Sequence, residues 1–213
     1  VILIFSLVIG GIYAGLFTPT EAASVGAFCT GVMAWYKGAM QWPKLKKSLL
    51  DTAETTAMIF LILFGADMFN AFLGRIALPG ELASLIENLN LAPMGILLSM
   101  LLIYLLLGCI MDSLSMILLT IPIFFPIINT LDFGLSPVET AIWFGIIVLI
   151  VIEVGLITPP VGLNVFIINA MAHDVPMTET FRGVAPFLIS DLMRIAIIIS
   201  FPGVTLFLVR WIN

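Results

Sequence analysis

The chain has 213 residues, of which 62% are hydrophobic and only 10% charged, with 8 basic against 13 acidic side chains and a formal charge of −5. Soluble domains carry about 25% charged residues, so this composition argues against a soluble enzyme, a nucleic-acid binder and a disordered regulator. A mean hydropathy of +1.23 and repeated apolar runs long enough for the ~30 Å hydrocarbon layer point instead to an all-α polytopic membrane protein.

The sequence opens at Val1 inside an apolar run, with no charged n-region or cleavage site, and reads as a piece of a longer protein. As one helix, Val1 to Tyr36 would reach about 54 Å, too long for a single upright span. Thr18-Pro19-Thr20 is the expected break, with Thr20 capping a second helix ahead of Glu21-Ala22-Ala23. A hairpin and a bent span both fit this block. Lys37, Lys44, Lys46 and Lys47 follow in what reads as a short loop, expected on the cytoplasmic side, with Trp42 at the interface beside it. Thr52 to Phe72 is the returning span and carries Asp67 and Asn70 near its far end. Residues 79–90 alternate faces at helical period but are too short and too polar to span, so an interfacial amphipathic helix is expected.

Ala92 to Leu131 runs apolar to Gly108, meets Cys109-Ile110-Met111-Asp112-Ser113-Leu114-Ser115, and resumes as an apolar stretch cut by Pro122 and Pro126. Two spans joined at the opposite surface fit this pattern, and so does a re-entrant hairpin turning inside the membrane. The second arm, Ser115 to Pro126, offers only about 18 Å of helix, which favours the re-entrant hairpin. Pro137 to Ala172 is interrupted by Glu153, Gly155, Thr158-Pro159-Pro160, Gly162, Asn164 and Asn169. Two consecutive prolines remove two donors, so a helix break near mid-membrane is expected. His173 to Arg182 reads as a polar loop in which His173 is solvated. Val184 to Trp211 reads as one long final helix, with Asp191 and Arg194 spaced to pair on one face. Cys29 and Cys109 sit singly in apolar runs and read as buried small side chains rather than disulfide or metal partners.

A broken helix at membrane depth is tolerated only where it is buried in protein or lines a cavity. Freed carbonyls around Gly155 to Pro160 suit a hard cation, and the half-helix that starts after Pro160 points a partial positive charge at an anion. Thr158 and Asn164 add neutral oxygens at the same level. The hairpin tip is the second candidate: Gly108 permits close backbone approach, Asp112 is ionisable within an apolar region, and Ser113 and Ser115 supply hydroxyls. Against this stand a plain proline kink, and an Asp112 that does no more than cap its helix. Glu153 reads equally as a coupling carboxylate or a hydrogen-bonded acid.

The segment Gly10-Gly11-Ile12-Tyr13-Ala14-Gly15-Leu16-Phe17-Thr18-Pro19-Thr20-Glu21-Ala22-Ala23 resembles the signature of the large membrane subunit of tripartite ATP-independent periplasmic (TRAP) transporters. Gly108 to Pro126 resembles that family's second re-entrant hairpin, and Gly155-Leu156-Ile157-Thr158-Pro159-Pro160-Val161-Gly162-Leu163-Asn164 its second unwound helix. The resemblance implies an elevator-type carrier of two inverted repeats in the bacterial inner membrane. It also implies sodium coupling and uptake of organic acid anions of the sialic acid or C4-dicarboxylate type. Implied partners are a small membrane (Q) subunit, a periplasmic substrate-binding (P) protein, the N-terminal half of the same subunit and the bilayer, with no nucleic acid. This chain looks like the C-terminal half, because the first repeat with its own hairpin and Pro-Pro break is missing.

Carried over residue by residue, sodium would be held near Gly108, Asp112, Ser113 and Ser115 and near Gly155, Thr158, Pro159 and Gly162. Asn164 and Pro160 would face the substrate. Hard cations take oxygen ligands, which suits these groups to sodium, the one coupling ion implied, with no other cofactor. Residues 1–90 would supply scaffold and an arm helix. Residues 91–172 would form the moving part, with the hairpin over 92–131 and the broken helix over 139–172, and residues 173–213 a terminal loop and helix. Two rivals from other classes are a passive channel or scaffold, and an intramembrane aspartyl protease built on Asp67 and Asp112. The protease lacks the glycine-flanked Gly-x-Gly-Asp context at either aspartate.

Overall fold

The computed structural model describes residues 2–88, 92–171 and 175–212, with only the backbone of Ile212. His173 and the expected divisions after residues 90 and 172 lie outside the described residues. Ten α-helices and no strands are found among the described residues, and the chain divides into two compact units, Val1–Phe60 and Leu61–Asn213.

In the first unit, α1 (Ile2–Tyr13) and α2 (Pro19–Tyr36) form a hairpin. Ile4, Phe5, Val8 and Ile9 line one groove with Thr30 and Met33, and a Cβ on Gly26 would touch Val8 at 3.5 Å, so the helices run antiparallel. The turn begins where Gly15 takes φ +68°. The Leu16 N–H donates to Gly11 O and the Gly15 N–H to Ile12 O, the paired bonds of a left-handed helix C-terminus. The break falls where expected, but the cap is Thr18, not Thr20. Pro19 occupies the first helical position, where its missing donor costs nothing. The extended residue before it accepts from Glu21 N, and Glu21 Oε2 accepts from Thr18 N at 2.8 Å, closing a capping box. Lys44, Lys46 and Lys47 lie not in a loop but on the first turns of α3 (Trp42–Arg75), a helix of 34 residues; Pro43 near its start is compatible with helix. Lys37 alone remains in the turn.

The second unit holds the end of α3 and seven further helices: α4 (Leu78–Asn88), α5 (Pro93–Gly108), α6 (Ser113–Thr130), α7 (Pro137–Ile157), α8 (Leu163–Met171), α9 (Met177–Ser200) and α10 (Pro202–Ile212). Helix α7 is its centre. Trp143, Phe144, Ile147, Val148, Val151 and Ile152 are buried, and α5, α6, α8, α9 and α10 all pack against α7. An all-round apolar helix belongs in such a position. Helices α3, α6, α7 and α9 are long and apolar enough to cross a membrane.

Three expectations change here, and a fourth gains detail. The amphipathic helix expected over 79–90 is present as Leu78–Asn88, with 89 and 90 outside the described residues, and its Leu82, Ala83 and Ile86 pack on the protein core. Helix α6 does not stop at Pro126; it runs 18 residues through both prolines, about 27 Å, so shortness of its arm no longer argues for a re-entrant hairpin. The expected polar loop turns helical at Met177. The single final helix is two, divided at Phe201–Pro202. Asp191 and Arg194 do pair, at 2.9 Å.

Two of the carbonyls that prolines leave unpaired are served by side chains of other helices. Pro122 leaves Leu118 O without its usual N–H, and Asn70 Nδ2 from α3 donates to that oxygen at 3.4 Å. Pro202 does the same to Ile198 O, where the Trp143 indole N–H donates at 3.0 Å. Replacing Asn70 with leucine is expected to destabilise the full-length protein by about 1 kcal/mol, read as an earlier thermal unfolding midpoint in detergent. An unchanged midpoint would show that Leu118 O needs no partner.

Candidate functional site

The site candidate is where the tip of the α5–α6 pair meets the break between α7 and α8. Gly108 ends α5 and Gly155 lies in the last turn of α7, and their backbones touch. A Cβ on Gly108 would stand 2.9 Å from Gly155 Cα and 3.2 Å from Ile152 O; one on Gly155 would stand 2.8 Å from Gly108 Cα and 3.1 Å from Leu105 O. Only residues without a side chain allow this crossing.

One residue past the contact, Cys109 is buried. Its Sγ lies 3.3 Å from Leu105 O in its own helix, and 3.6 and 3.8 Å from the carbonyl oxygens of Thr158 and Pro159. The thiol therefore sits against the unwound carbonyls. Sequence reading had set Cys109 aside as packing; its position next to the tip glycine was the available signal.

The break is built by Thr158, Pro159, Pro160, Val161 and Gly162. Thr158 is the C-cap of α7: its N–H donates to Gly155 O at 3.1 Å and its Oγ1–H to Val154 O at 2.6 Å, which leaves the hydroxyl lone pairs and its own carbonyl to other partners. Pro159-Pro160 is a cis peptide. Gly162 has φ +56°, and a Cβ there would stand 3.1 Å from the Phe181 ring and 3.3 Å from Thr158 O. Both the dihedral and the space call for glycine. Helix α8 restarts with Phe166 N–H donating to Gly162 O, so the N–H groups of its first turn face the break without helical acceptors. The negative end of α7 and the positive end of α8 thus meet in one place.

The remaining predicted residues divide. Asp112 is the N-cap of α6, its carboxylate accepting from Ser115 N at 3.0 Å, and Ser113 begins that helix. Their observed role is to start α6. Asn164 lies half-buried in the first turn of α8, and Pro160 is exposed. Glu153 is exposed on α7, away from the buried Gly108–Gly155 crossing. The structure joins Gly108, Gly155, Thr158 and Pro159, adding Cys109 as the link, and sets Gly162 against Thr158.

The carbonyls of Thr158 and Pro159 and the Thr158 hydroxyl lie where backbone has left its helical pairing, and oxygens of this kind are the ligands a hard cation takes. Among the described residues no group of three or more His, Cys, Asp or Glu side chains is placed to hold a metal.

A family model described as "Tripartite ATP-independent periplasmic transporter, DctM component" matches residues 1–204. The C4-dicarboxylate TRAP transporter large permease protein DctM of Pseudomonas aeruginosa is 35% identical over 213 residues, covering 100% of this chain and 48% of that protein. The sialic acid TRAP transporter large permease protein SiaM of Vibrio cholerae is 31% identical over 207 residues, 95% of this chain and 46% of that protein. The 2,3-diketo-L-gulonate TRAP transporter large permease protein YiaN of Escherichia coli is 30% identical over 210 residues, 97% and 47% respectively. The chain spans about half the length of these relatives.

Proposed function

The chain belongs to the family of DctM components of tripartite ATP-independent periplasmic transporters, and on that premise we propose that it is the C-terminal half of a permease that imports an organic acid anion with sodium. It is a membrane transporter component and not an enzyme, and its place is the bacterial inner membrane. The substrate is an organic acid of the kinds named for its relatives, a C4-dicarboxylate, sialic acid or a sugar acid. It is delivered by a periplasmic binding protein to a permease completed by the N-terminal half and a small membrane subunit.

The observation that carries this reading is the convergence of tip and break at the Gly108–Gly155 crossing. Sodium is held there by carbonyl and hydroxyl oxygens around Thr158 and Pro159. The first-turn N–H groups of α8, with Asn164 and Pro160, face the anion. The block from α5 to α8 is the part that moves, with the hairpin entering from one side, and the helices of residues 1–90 serve as scaffold.

The test is uptake of labelled organic acids into proteoliposomes holding the full-length permease with its small subunit, with and without a sodium gradient and the binding protein. Uptake that needs both supports the carrier; sodium-independent flux overturns the coupling. Within that assay, Thr158→Val removes an oxygen ligand but keeps the shape. It is expected to raise the half-saturating sodium concentration about tenfold, equivalent to about 1.4 kcal/mol, while the complex still purifies intact. Unchanged sodium dependence would remove Thr158 from the site.

A further inference from the structure

We propose that the groove between α2 and the start of α3 is a binding site for an anionic phospholipid, which seats an acyl chain in the groove and its phosphate on Lys44. Helices α2 and α3 diverge from the turn at Lys37–Gln41. They leave a groove of about 610 Å³ lined by Ala27, Gly31 and Ala34 on one side and Leu45 and Leu49 on the other, with Met40 and Lys44 also lining it. From Ala34 to Ala27 it follows α2 for about 10 Å. Its walls are apolar or small, and the one hydroxyl on the α2 wall is satisfied, since Thr30 Oγ1 donates to Gly26 O at 2.7 Å.

The charge is what selects the occupant. Lys44 and Lys47 share one face of α3 with Ser48, Asp51, Thr52 and Thr55, along a cleft of about 550 Å³ that holds two cations to one carboxylate, and Lys44 also lines the apolar groove. Lys37 and Lys46 are exposed within seven and two positions of it. The ion pairs among the described residues are Asp191–Arg194 and Glu139–Arg210, so none of these lysines is committed to a carboxylate. A neutral partner helix would fill the groove but leave four lysines beside a single cleft aspartate, a net positive charge, unanswered. A phosphodiester head on an acyl chain answers both halves of the surface at once, and basic clusters beside membrane helices attract anionic headgroups. Trp42 and Trp35, both exposed, flank the turn at the depth where indoles favour the headgroup layer.

The experiment is native mass spectrometry of the full-length permease with its small subunit, released from detergent with added phosphatidylglycerol or phosphatidylcholine. Phosphatidylglycerol is expected to be retained at least about fivefold more strongly, since each lysine near the surface is worth about that factor. Two variants separate the halves of the site. Lys44→Gln/Lys47→Gln is expected to abolish the preference for phosphatidylglycerol, and Ala34→Trp to reduce retention of both lipids by blocking the groove; neither touches the second unit's core, so both should purify as complexes. Millimolar inorganic phosphate should not displace the lipid. Equal retention of the two lipids in the parent, a preference that survives the lysine variant, or displacement by free phosphate would overturn the proposal. So would a groove already occupied by a polypeptide segment in the intact complex.

Discussion

Gly155→Ala is expected to lower the unfolding temperature of the full-length permease and to remove its uptake activity, although it adds a single methyl group. The new Cβ would meet Gly108 Cα at 2.8 Å, Gly108 C at 3.1 Å and Leu105 O at 3.1 Å. Every one of these is backbone, so no side chain can rotate aside and α5 and α7 must part. Overpacking of this kind costs about 1–3 kcal/mol, and the separation also pulls Cys109 from the Thr158 and Pro159 carbonyls. The control is Gly145→Ala in the same helix, where a Cβ meets nothing within 4 Å; it should be neutral or stabilising by about 0.5–1 kcal/mol, because alanine restrains the unfolded chain and favours helix. Thermal unfolding of both variants in detergent makes the comparison. Equal midpoints would mean that the crossing is looser than described.

The second large effect is expected at Trp143, which is 1% exposed. Trp143→Ala combines a cavity with a lost donor and should cost about 3–5 kcal/mol. Trp143→Phe separates the two terms, since an aromatic ring remains but Ile198 O loses the indole donor, at a cost of about 1–3 kcal/mol. Pro202→Ala then becomes informative. It restores an N–H four residues after Ile198, so the Trp143→Phe/Pro202→Ala double variant should be more stable than the sum of the single effects predicts. Strict additivity, measured by denaturant or thermal unfolding, would show that the indole contributes by bulk alone.

The parts of this fold legible in the sequence are those fixed by neighbours along the chain. Thr18-Pro19-Thr20 marked a helix start because proline and a capping hydroxyl act within three residues; the cap was misplaced by two. Thr158-Pro159-Pro160 marked a break because no helix absorbs two missing donors in succession. Asp191 and Arg194 are one turn apart and do pair. What escaped depends on partners far away. Pro122 and Pro126 looked like the end of an arm, yet α6 continues, and the carbonyl freed by Pro122 is served from Asn70, 48 positions earlier. Pro202 was read through because an apolar pattern crosses it unchanged. Arg210 Nε reaches Glu139 Oε1 at 2.7 Å over 71 positions, tying α10 to the capped start of α7, and no local pattern announces such a pair. At the site, glycine spacing revealed the two elements but not that Gly108 and Gly155 face each other.

The two donors that serve proline-freed carbonyls share one further property. Asn70 precedes Leu118 in the chain, and Trp143 precedes Ile198. A polypeptide made from its N-terminus therefore delivers the amide to the membrane before the defective α6, and the indole before the α9–α10 break. Each of these two carbonyls finds its partner already in the bilayer, so neither oxygen has to wait in hydrocarbon for a later segment. The order of residues along the chain is thus also an order of assembly, and a circular permutation that placed α9 ahead of α7 should insert poorly even though every final contact could still form.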